Sequence, residues 1–362
     1  MKEKKPSRAL RVTLIVVCVI LALVLIVEVF AAAYAHSLST RLGRVDPNET
    51  RGTIDPSTPI IQADTKPEDY TGTIFNEEDL TVPSTAAEQI DDTCVNILLI
   101  GQDATADSRD IQRSDTMILC TFNPSTKAIT MTSFHRDMFL PIPGFWSSKL
   151  SHSFRYGGLF GTEYNDGYGN GGGFADAFKV LNSTLQYNFG VVVDGNVCVD
   201  FSSFEKVVDA VGGVDVSLTS AEAAELGVMD GRTFSEGDVH LDGKAALSYV
   251  RIRSIDSGLA RDSRQRILLN SLIEKAKQMS LPELNDLLYT VLPLVTTDLT
   301  DAEILGYALK LLPMISQCTV VSQEVPVDGT FALGWTDSEG GMSVVRVDDM
   351  QANIDLLRKA LE

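Results

Sequence analysis

From Val12 to Val27 the chain runs without a charge, and after Glu28 the apolar pattern resumes as VFAAAYA, ending at Ala35. At 1.5 Å per helical residue these 24 residues suffice to cross a hydrocarbon core of roughly 30 Å. The stretch 36–92 is different. Pro, Thr, Asp, Glu and Ser dominate it (DPSTPIIQADTKPEDYTGTIFNEEDLTVPST), with no sustained period of 2 or 3.6, which suits an extended stalk or linker. From 93 to 362 apolar segments recur at short intervals, the texture of one compact domain.

Within that domain NILLIG (96–101) is a short apolar run ending in Gly, and DTMILCTF and AITMTSF are β-branched runs separated by the turn NPSTK. Three strands are expected there. After a Gly-rich loop (GGLFGTEYNDGYGNGGG), FADAFKVLNSTLQYNFG predicts a helix closed by Gly190, and VVVDGNVCVDF predicts strand. SSFEKVVDAVGG reads as a helix with a Ser cap and a Gly stop, VDVSL as a strand and GKAALSYVR as a short helix. RDSRQRILLNSLIEKAKQM is a strongly amphipathic helix; LPELNDLLYTVLPLV and TDAEILGYALKLLPMI are two more, CTVVSQEVP a late strand and DDMQANIDLLRKALE a terminal helix. This alternation predicts an α/β fold, a three-layer αβα sandwich with a central mixed sheet, preceded by an N-terminal transmembrane helix.

Charge sharpens the membrane reading. Lys2, Lys4, Lys5, Arg8 and Arg11 precede the apolar run, so 1–11 is expected in the cytoplasm, 12–35 in the membrane, and everything from His36 outside. A secretion signal cleaved after Ala33-Tyr34-Ala35 is the rival reading, but the apolar run is longer than such signals need. Both readings export the rest of the chain. With 362 residues, 44% hydrophobic and 22% charged, one large domain with appendages is natural, and a net charge of −19 argues against nucleic acid, whose phosphates demand a basic surface. Outside Cys18, four cysteines (Cys94, Cys120, Cys198, Cys318) stand in the exported part, open to disulfide pairing or to burial as small hydrophobes.

The candidate chemistry gathers at strand ends. Asp103 follows NILLIG, Arg113 and Asp115 open the next strand, and Arg136 and Asp137 close the one after. If the first two strands are antiparallel neighbours, Asp103 and Asp115 meet, and a hard divalent cation with oxygen ligands relieves their repulsion. Pairing of each acid with Arg109 or Arg113 at a solvated turn is the alternative. Further on, YVRIRSIDSGLARDSRQR carries Arg251, Arg253, Arg261, Arg264 and Arg266 against Asp256 and Asp262, an excess of three positive charges in an acidic chain. Arginines present planar paired donors to phosphate oxygens, and RDSRQR is placed to open a helix, whose free N–H groups favour an anion. A solvated helix face with salt bridges competes with that reading. An acid pair plus an arginine cluster suits a diphosphate, whose transfer needs positioning and charge neutralisation above all.

The order of NILLIGQD, RSDTMIL, SFHRDMFLPIPG, the Tyr-Gly-Gly at 156–158, FSSFEKVVDAVGGVDV and LDGKAALSYVRIR with its RDSRQR sequel resembles the LytR-CpsA-Psr family of bacterial envelope proteins, over roughly residues 95 to 280. The resemblance implies a membrane-anchored phosphotransferase, single-pass with a cytoplasmic N-terminus. Such an enzyme moves a glycan-phosphate from a polyprenyl-diphosphate carrier onto peptidoglycan, attaching a teichoic acid, capsule or similar polymer. It implies Mg²⁺, or Mn²⁺ in its place, on Asp103 and Asp115; catalytic roles for both acids with Arg113 and Arg136; and a diphosphate clamp of Arg113, Arg136, Arg251, Arg253, Arg261, Arg264 and Gln265. Partners would be the lipid-linked glycan, the peptidoglycan acceptor and the cytoplasmic membrane. The chain departs from the family's pattern at His135, where Pro is frequent, and at Gly258-Leu259-Ala260, where an acid is missing, so the general base stays open between Asp137 and Asp256. A lipid-linked glycan hydrolase and a non-catalytic binder of polyprenyl-diphosphate intermediates are the competing functions. Trp335, in GWTDSEGGMSVV, is a glycan contact or a local packing cap.

Overall fold

The computed structural model describes residues 36–37, 40–50, 73–75, 80, 87–88, 94–102, 111–161, 172–252, 254–255, 258–311, 317–336 and 341–361. Two-residue strands β1 (Gly43–Arg44) and β2 (Ile74–Phe75) come first, with a helical turn at Pro47–Thr50 between them. Then come β3 (Val95–Gln102), β4 (Ser114–Asn123) and β5 (Ala128–Phe134), the three strands expected from NILLIG, DTMILCTF and AITMTSF. The β4–β5 turn is made by Asn123, whose Oδ1 accepts from the N–H groups of Ser125 (2.9 Å) and Thr126 (3.2 Å). Short strands β6 (Phe139–Leu140) and β7 (Ser148–Lys149) pair with each other and lead into helix α1 (Leu150–Phe160), followed by α2 (Gly173–Phe189).

The chain continues through β8 (Gly195–Val199), α3 (Phe201–Ala210), β9 (Val214–Leu218), α4 (Ser220–Asp230), β10 (Gly237–Leu241) and α5 (Gly243–Val250). Helices α6 (Gly258–Gln278) and α7 (Leu281–Val291) precede β11 (Thr296–Thr297) and α8 (Asp301–Leu311). Strands β12 (Thr319–Val325), β13 (Phe331–Thr336) and β14 (Ser343–Val347) and helix α9 (Met350–Leu361) complete it.

Seven strands form the central sheet in the order β1-β11-β8-β3-β4-β5-β12. It is mixed, as expected: β3–β4 and β4–β5 are antiparallel, whereas β8 runs parallel to β3 and β12 parallel to β5. Successive strand residues alternate between faces. On one face Leu98, Ile100, Met117 and Leu119 pack with Phe154 of α1, Phe178, Leu181 and Phe189 of α2 and Leu357 of α9. On the other, Leu99, Ile118, Val197 and Val199 face Phe204 of α3 and Leu268 and Leu272 of α6 across an internal cavity. Helices therefore cover both faces of the sheet.

Several local expectations are revised. The Gly-rich stretch begins inside α1, because Gly157 lets that helix lie directly on α2: a Cβ there would stand 2.2 Å from the carbonyl oxygen of Asp176. Helix α3 is capped by Asp200, which accepts from Ser203 N–H at 2.8 Å, and not by a serine; its stop is Gly212 and Gly213, both at positive φ. VDVSL forms β9 but pairs with β10 in a separate two-stranded sheet. Helix α4, with its Thr219–Glu222 capping box, and the β13–β14 hairpin had no sequence expectation. Trp335 lies in β13, and its backbone N–H donates to Thr73 O at 2.9 Å, so this residue is in sheet and not loop.

The segment expected as a transmembrane helix, 12–35, lies outside the described residues; among those described, no helix is long and apolar enough to cross a membrane. Parts of the stretch expected as stalk are built into the domain. Strand β1 is an edge of the central sheet, and β2 pairs with β13. Thr50 Oγ1 donates to buried Asp298 at 2.7 Å, which also takes Asn196 N–H at 2.6 Å. Polar composition conceals such docking because strand edges are recognised through backbone groups, which every sequence carries. Cys94, Cys120, Cys198 and Cys318 are all free thiols. Burial pushes the Cys120 thiol up to about 12 and that of Cys198 up as well, which makes both inert packing groups.

Candidate functional site

The cavity between sheet and helices measures about 290 Å³. Its walls are Leu99, Ile118, Val197, Val199, Phe204, Val207, Leu247, Val250, Leu268, Leu272, Val291 and Val295, an apolar lining that favours a hydrocarbon over a hydrated ligand. The strand residues lining it come from β4, β3 and β8, with Val295 just before β11, so the cavity spans several strands of the sheet. Polar groups also line it: Asp115 from β4, Arg251 at the end of α5, and Arg261 and Gln265 from α6.

Antiparallel pairing of β4 with both neighbours creates the cationic end. It sets the start of β4 beside the end of β3, with Gln102 opposite Ser114, and beside the chain leaving β5. Arg136, just past β5, makes an ion pair with Asp115. Its Nε stands 3.4 Å from Asp137 Oδ2, and Lys149 Nζ, at the start of α1, stands 3.6 Å from Asp137 Oδ1. Burial works against the Arg136 charge, but Asp137 and Asp115 outweigh it and hold the guanidinium more firmly protonated than usual. Burial likewise favours a neutral Asp137, yet Arg136 and Lys149 overcome it and keep that carboxyl below the ordinary range. Its basicity is correspondingly low. His135 is pushed down by burial, only partly offset by Asp262 and Asp137, and is therefore neutral at physiological pH.

From the helical side, Arg261 is buried, with Nη2 2.9 Å from Asp262 Oδ1 and 3.5 Å from the backbone oxygen of Asp115. Arg251 lies over the Phe201 ring at 4.5 Å, a cation–π contact at the cavity wall. Helix α6 begins at Gly258, so RDSRQR lies within it and does not open it.

The structure thus brings Asp115, Arg136, Arg251, Arg261 and Gln265 together although up to 150 residues separate them in sequence. Arg264 goes elsewhere: 2% exposed, it donates to Glu222 Oε1 and Ile252 O at 2.8 and 2.9 Å, tying α6 to α4 and α5. Arg113 is half-buried, one residue before β4, and is not among the cavity-lining residues. Asp103, Arg253 and Asp256 lie outside the described residues.

Lys149 and Asp262 are components that sequence reasoning missed. Lys149 had one usable signal, since a lysine at a helix start opposes the helix dipole and calls for another reason to be there. Asp262 was counted only as a counter-charge in the arginine run.

A divalent cation fits the chemistry of what is present. Asp115 supplies hard carboxylate oxygens at the cavity wall, and β3 ends beside it with Gln102 opposite Ser114. Among the described residues no three His, Cys, Asp or Glu groups form a metal cluster, so the remaining ligands would have to come from the substrate's oxygens and water.

The molecule is an α/β protein whose apolar cavity is walled at one place by arginines and an aspartate. The LytR_cpsA_psr family model matches residues 60–353, and the chain belongs to that family. It is 34% identical over 188 residues to a polyisoprenyl-teichoic acid–peptidoglycan teichoic acid transferase, TagU, of Oceanobacillus iheyensis, covering 51% of this chain and 52% of that protein. Against TagT of Bacillus subtilis the identity is 33% over 203 residues, 54% of this chain and 57% of the relative. The matches thus span little more than half the length of these curated relatives. Among solved structures, TagT bound to LIIa-WTA superposes with a TM-score of 0.58 at 26% identity, covering 77% of this chain and 97% of that one. The fold is also that of the LytR-CPS2A-psr family protein YwtF (TagT) with bound octaprenyl pyrophosphate lipid, at a TM-score of 0.54, 24% identity and coverage of 76% and 96%.

Proposed function

We propose that this chain is a membrane-anchored phosphotransferase that moves a glycan-phosphate from a polyprenyl-diphosphate carrier to a hydroxyl of peptidoglycan. One observation carries the reading: an apolar cavity of about 290 Å³ whose wall includes Asp115, Arg251, Arg261 and Gln265, with Arg136 on Asp115. The relatives are named as teichoic acid transferases, and one solved relative binds octaprenyl pyrophosphate, which supports the same ligand class here.

In the proposed reaction the acceptor hydroxyl attacks the phosphorus that bears the glycan. The bond from that phosphorus to the polyprenyl-phosphate oxygen breaks, and the hydroxyl proton leaves to a base. The apolar walls hold the tail, while Arg251 and Arg261 bind phosphate oxygens in planar, charge-assisted fashion and Gln265 adds a neutral donor. Arg136 orients Asp115 and contributes positive charge where negative charge builds up. Asp115 and Asp103 would hold a Mg²⁺, whose positive charge would polarise the phosphoryl oxygens and offset the charge growing on the departing polyprenyl phosphate.

Anchoring through 12–35 would keep the domain beside the membrane that holds a lipid-linked substrate. Val295, which lines the cavity, accepts from Gly43 N–H at 3.1 Å, in the first strand after the apolar segment.

The test is incubation of the chain with lipid-linked glycan, Mg²⁺ and peptidoglycan oligomers, read by mass spectrometry. A phosphodiester-linked product is expected. Free glycan-phosphate alone would favour the hydrolase, and unaltered substrates that remain bound would favour the non-catalytic binder.

A further inference from the structure

Asp262 stands where the two arginine-bearing elements meet. Its Oδ1 takes both Nη2 and Nε of Arg261, at 2.9 and 3.3 Å, and its Oδ2 lies 3.8 Å from Nδ1 of His135. The side chains of Arg261, Asp262 and His135 are 3%, 6% and 5% exposed, so little water screens the carboxylate from its cation.

Geometry decides which edge of the guanidinium is used. Nε and Nη2 form its side edge, and with that edge on Asp262 and the second Nη2 hydrogen on the Asp115 carbonyl, the two Nη1 hydrogens are left for another anion. The bond from Nη2 to the Asp115 backbone oxygen fixes the same plane against β4. His135 borders the pair without neutralising it. The Asp137 N–H donates to His135 Nδ1 at 3.3 Å, so that nitrogen's lone pair is engaged by the backbone and it holds no proton for Asp262.

We propose that Asp262 is the positioning residue that aims the Nη1 end of Arg261 at the head of a diphosphate in the cavity, with His135 the wall that reserves the Asp262 charge for Arg261. The inference rests on the diphosphate reading of the cavity and adds a function for two residues next to Arg261 and Arg136. Because His135 precedes Arg136 and Asp262 follows Arg261, their contact also couples the sheet-borne and helix-borne cations, keeping them at one separation.

The experiment uses the full chain in detergent micelles, with geranylgeranyl diphosphate and geranylgeraniol as probes in titration calorimetry. The two ligands share a tail and differ in the head. Wild type should prefer the diphosphate. Asp262→Asn should keep its affinity for the alcohol, lose some thermal stability because Arg261 is left buried and unmatched, and lose about tenfold for the diphosphate, the scale of one charge-assisted hydrogen bond. Asp262→Glu should recover part of the loss, and Arg261→Lys, which lacks the side edge, should resemble Asp262→Asn. Wild-type diphosphate affinity in Asp262→Asn, with Arg261→Ala impaired, would overturn the inference while leaving the diphosphate reading intact. Equal losses for both probes would mark Asp262 as merely structural and overturn it too. If wild type itself failed to prefer the diphosphate, that reading would fall and this inference with it.

Discussion

Arg136 and Asp115, 21 residues apart on either side of the β4–β5 hairpin, form an ion pair at the cavity wall, their side chains 14% and 13% exposed. The pair exists because antiparallel pairing returns the end of β5 to the start of β4. Removing either member leaves the other charge partly buried and unmatched. Arg136→Ala and Asp115→Asn are each expected to lower the transfer rate by about 10²-fold or more, the usual scale for deleting a preorganised electrostatic group. Each should also cost about 1–3 kcal/mol of stability. Product formation by mass spectrometry and urea denaturation check the two effects separately.

Arginines of one sequence cluster should behave differently. Arg264 is buried against Glu222 and Ile252, so Arg264→Met is expected to destabilise by about 3–5 kcal/mol, the penalty for breaking a buried pair. Arg251 is exposed and lies at the cavity wall, so Arg251→Ala should leave the thermal midpoint within a degree or two while weakening diphosphate binding. Calorimetric scans of the two variants side by side decide the matter; equal midpoints would contradict the assignment.

Acid should weaken the fold in two steps of the same sign. His135 titrates below its ordinary value of 6.5 in the folded chain, so the unfolded state binds the extra proton first and stability falls as pH drops below 6.5. Asp137 titrates below its ordinary 3.8, so its stabilisation is complete above 3.8 and is lost as pH falls through the folded value. Urea midpoints measured from pH 8 to pH 3 should decline accordingly, and His135→Asn should flatten the upper part of the decline alone.

Tail length should set affinity until the cavity is full. Each methylene buried among Val199, Phe204, Leu268 and Leu272 is worth about 0.8 kcal/mol, so prenyl diphosphates should bind progressively tighter as the chain lengthens and then level off. Replacing Val207 by Trp should bring the plateau to shorter chains. Competition against a fluorescent prenyl diphosphate measures both.

Gly157 provides a packing test away from the cavity. A methyl group there would stand 2.2 Å from the Asp176 carbonyl oxygen, closer than atoms tolerate, so α1 and α2 must separate. Gly157→Ala is expected to cost about 1–3 kcal/mol or more, as overpacking does. Helical propensity predicts the opposite sign, because Ala favours an exposed helix by about 1 kcal/mol over Gly. Chemical denaturation distinguishes them by sign.

Local regularities made much of the architecture legible in the sequence. A continuous apolar run marked β3, β-branched runs marked β4, β5 and β12, amphipathic patterning marked α6, and Gly190, in the left-handed region, ended α2 where expected. These features depend on neighbours a few positions apart. The acids and arginines of the site were visible as charge where strands end. Their sorting was not, since Arg261 and Arg264 stand three residues apart on one helix and differ only in what lies opposite: Asp262 and Asp115 for one, Glu222 and Ile252 for the other.

The sequence alone determined most of the longer strands and helices, that a net charge of −19 argues against a nucleic-acid partner, and that charge gathers at strand ends. Tertiary structure alone decided that the early strand Gly43–Arg44 closes an edge of the central sheet, that α6 leans over β3, β4 and β8 to leave a cavity, and that Asp262 holds Arg261 beside it. The physical reason is range. Propensity and periodicity act within a few residues of chain, whereas a cavity and the groups facing it are set by packing between elements, which carries no signature in either partner taken alone.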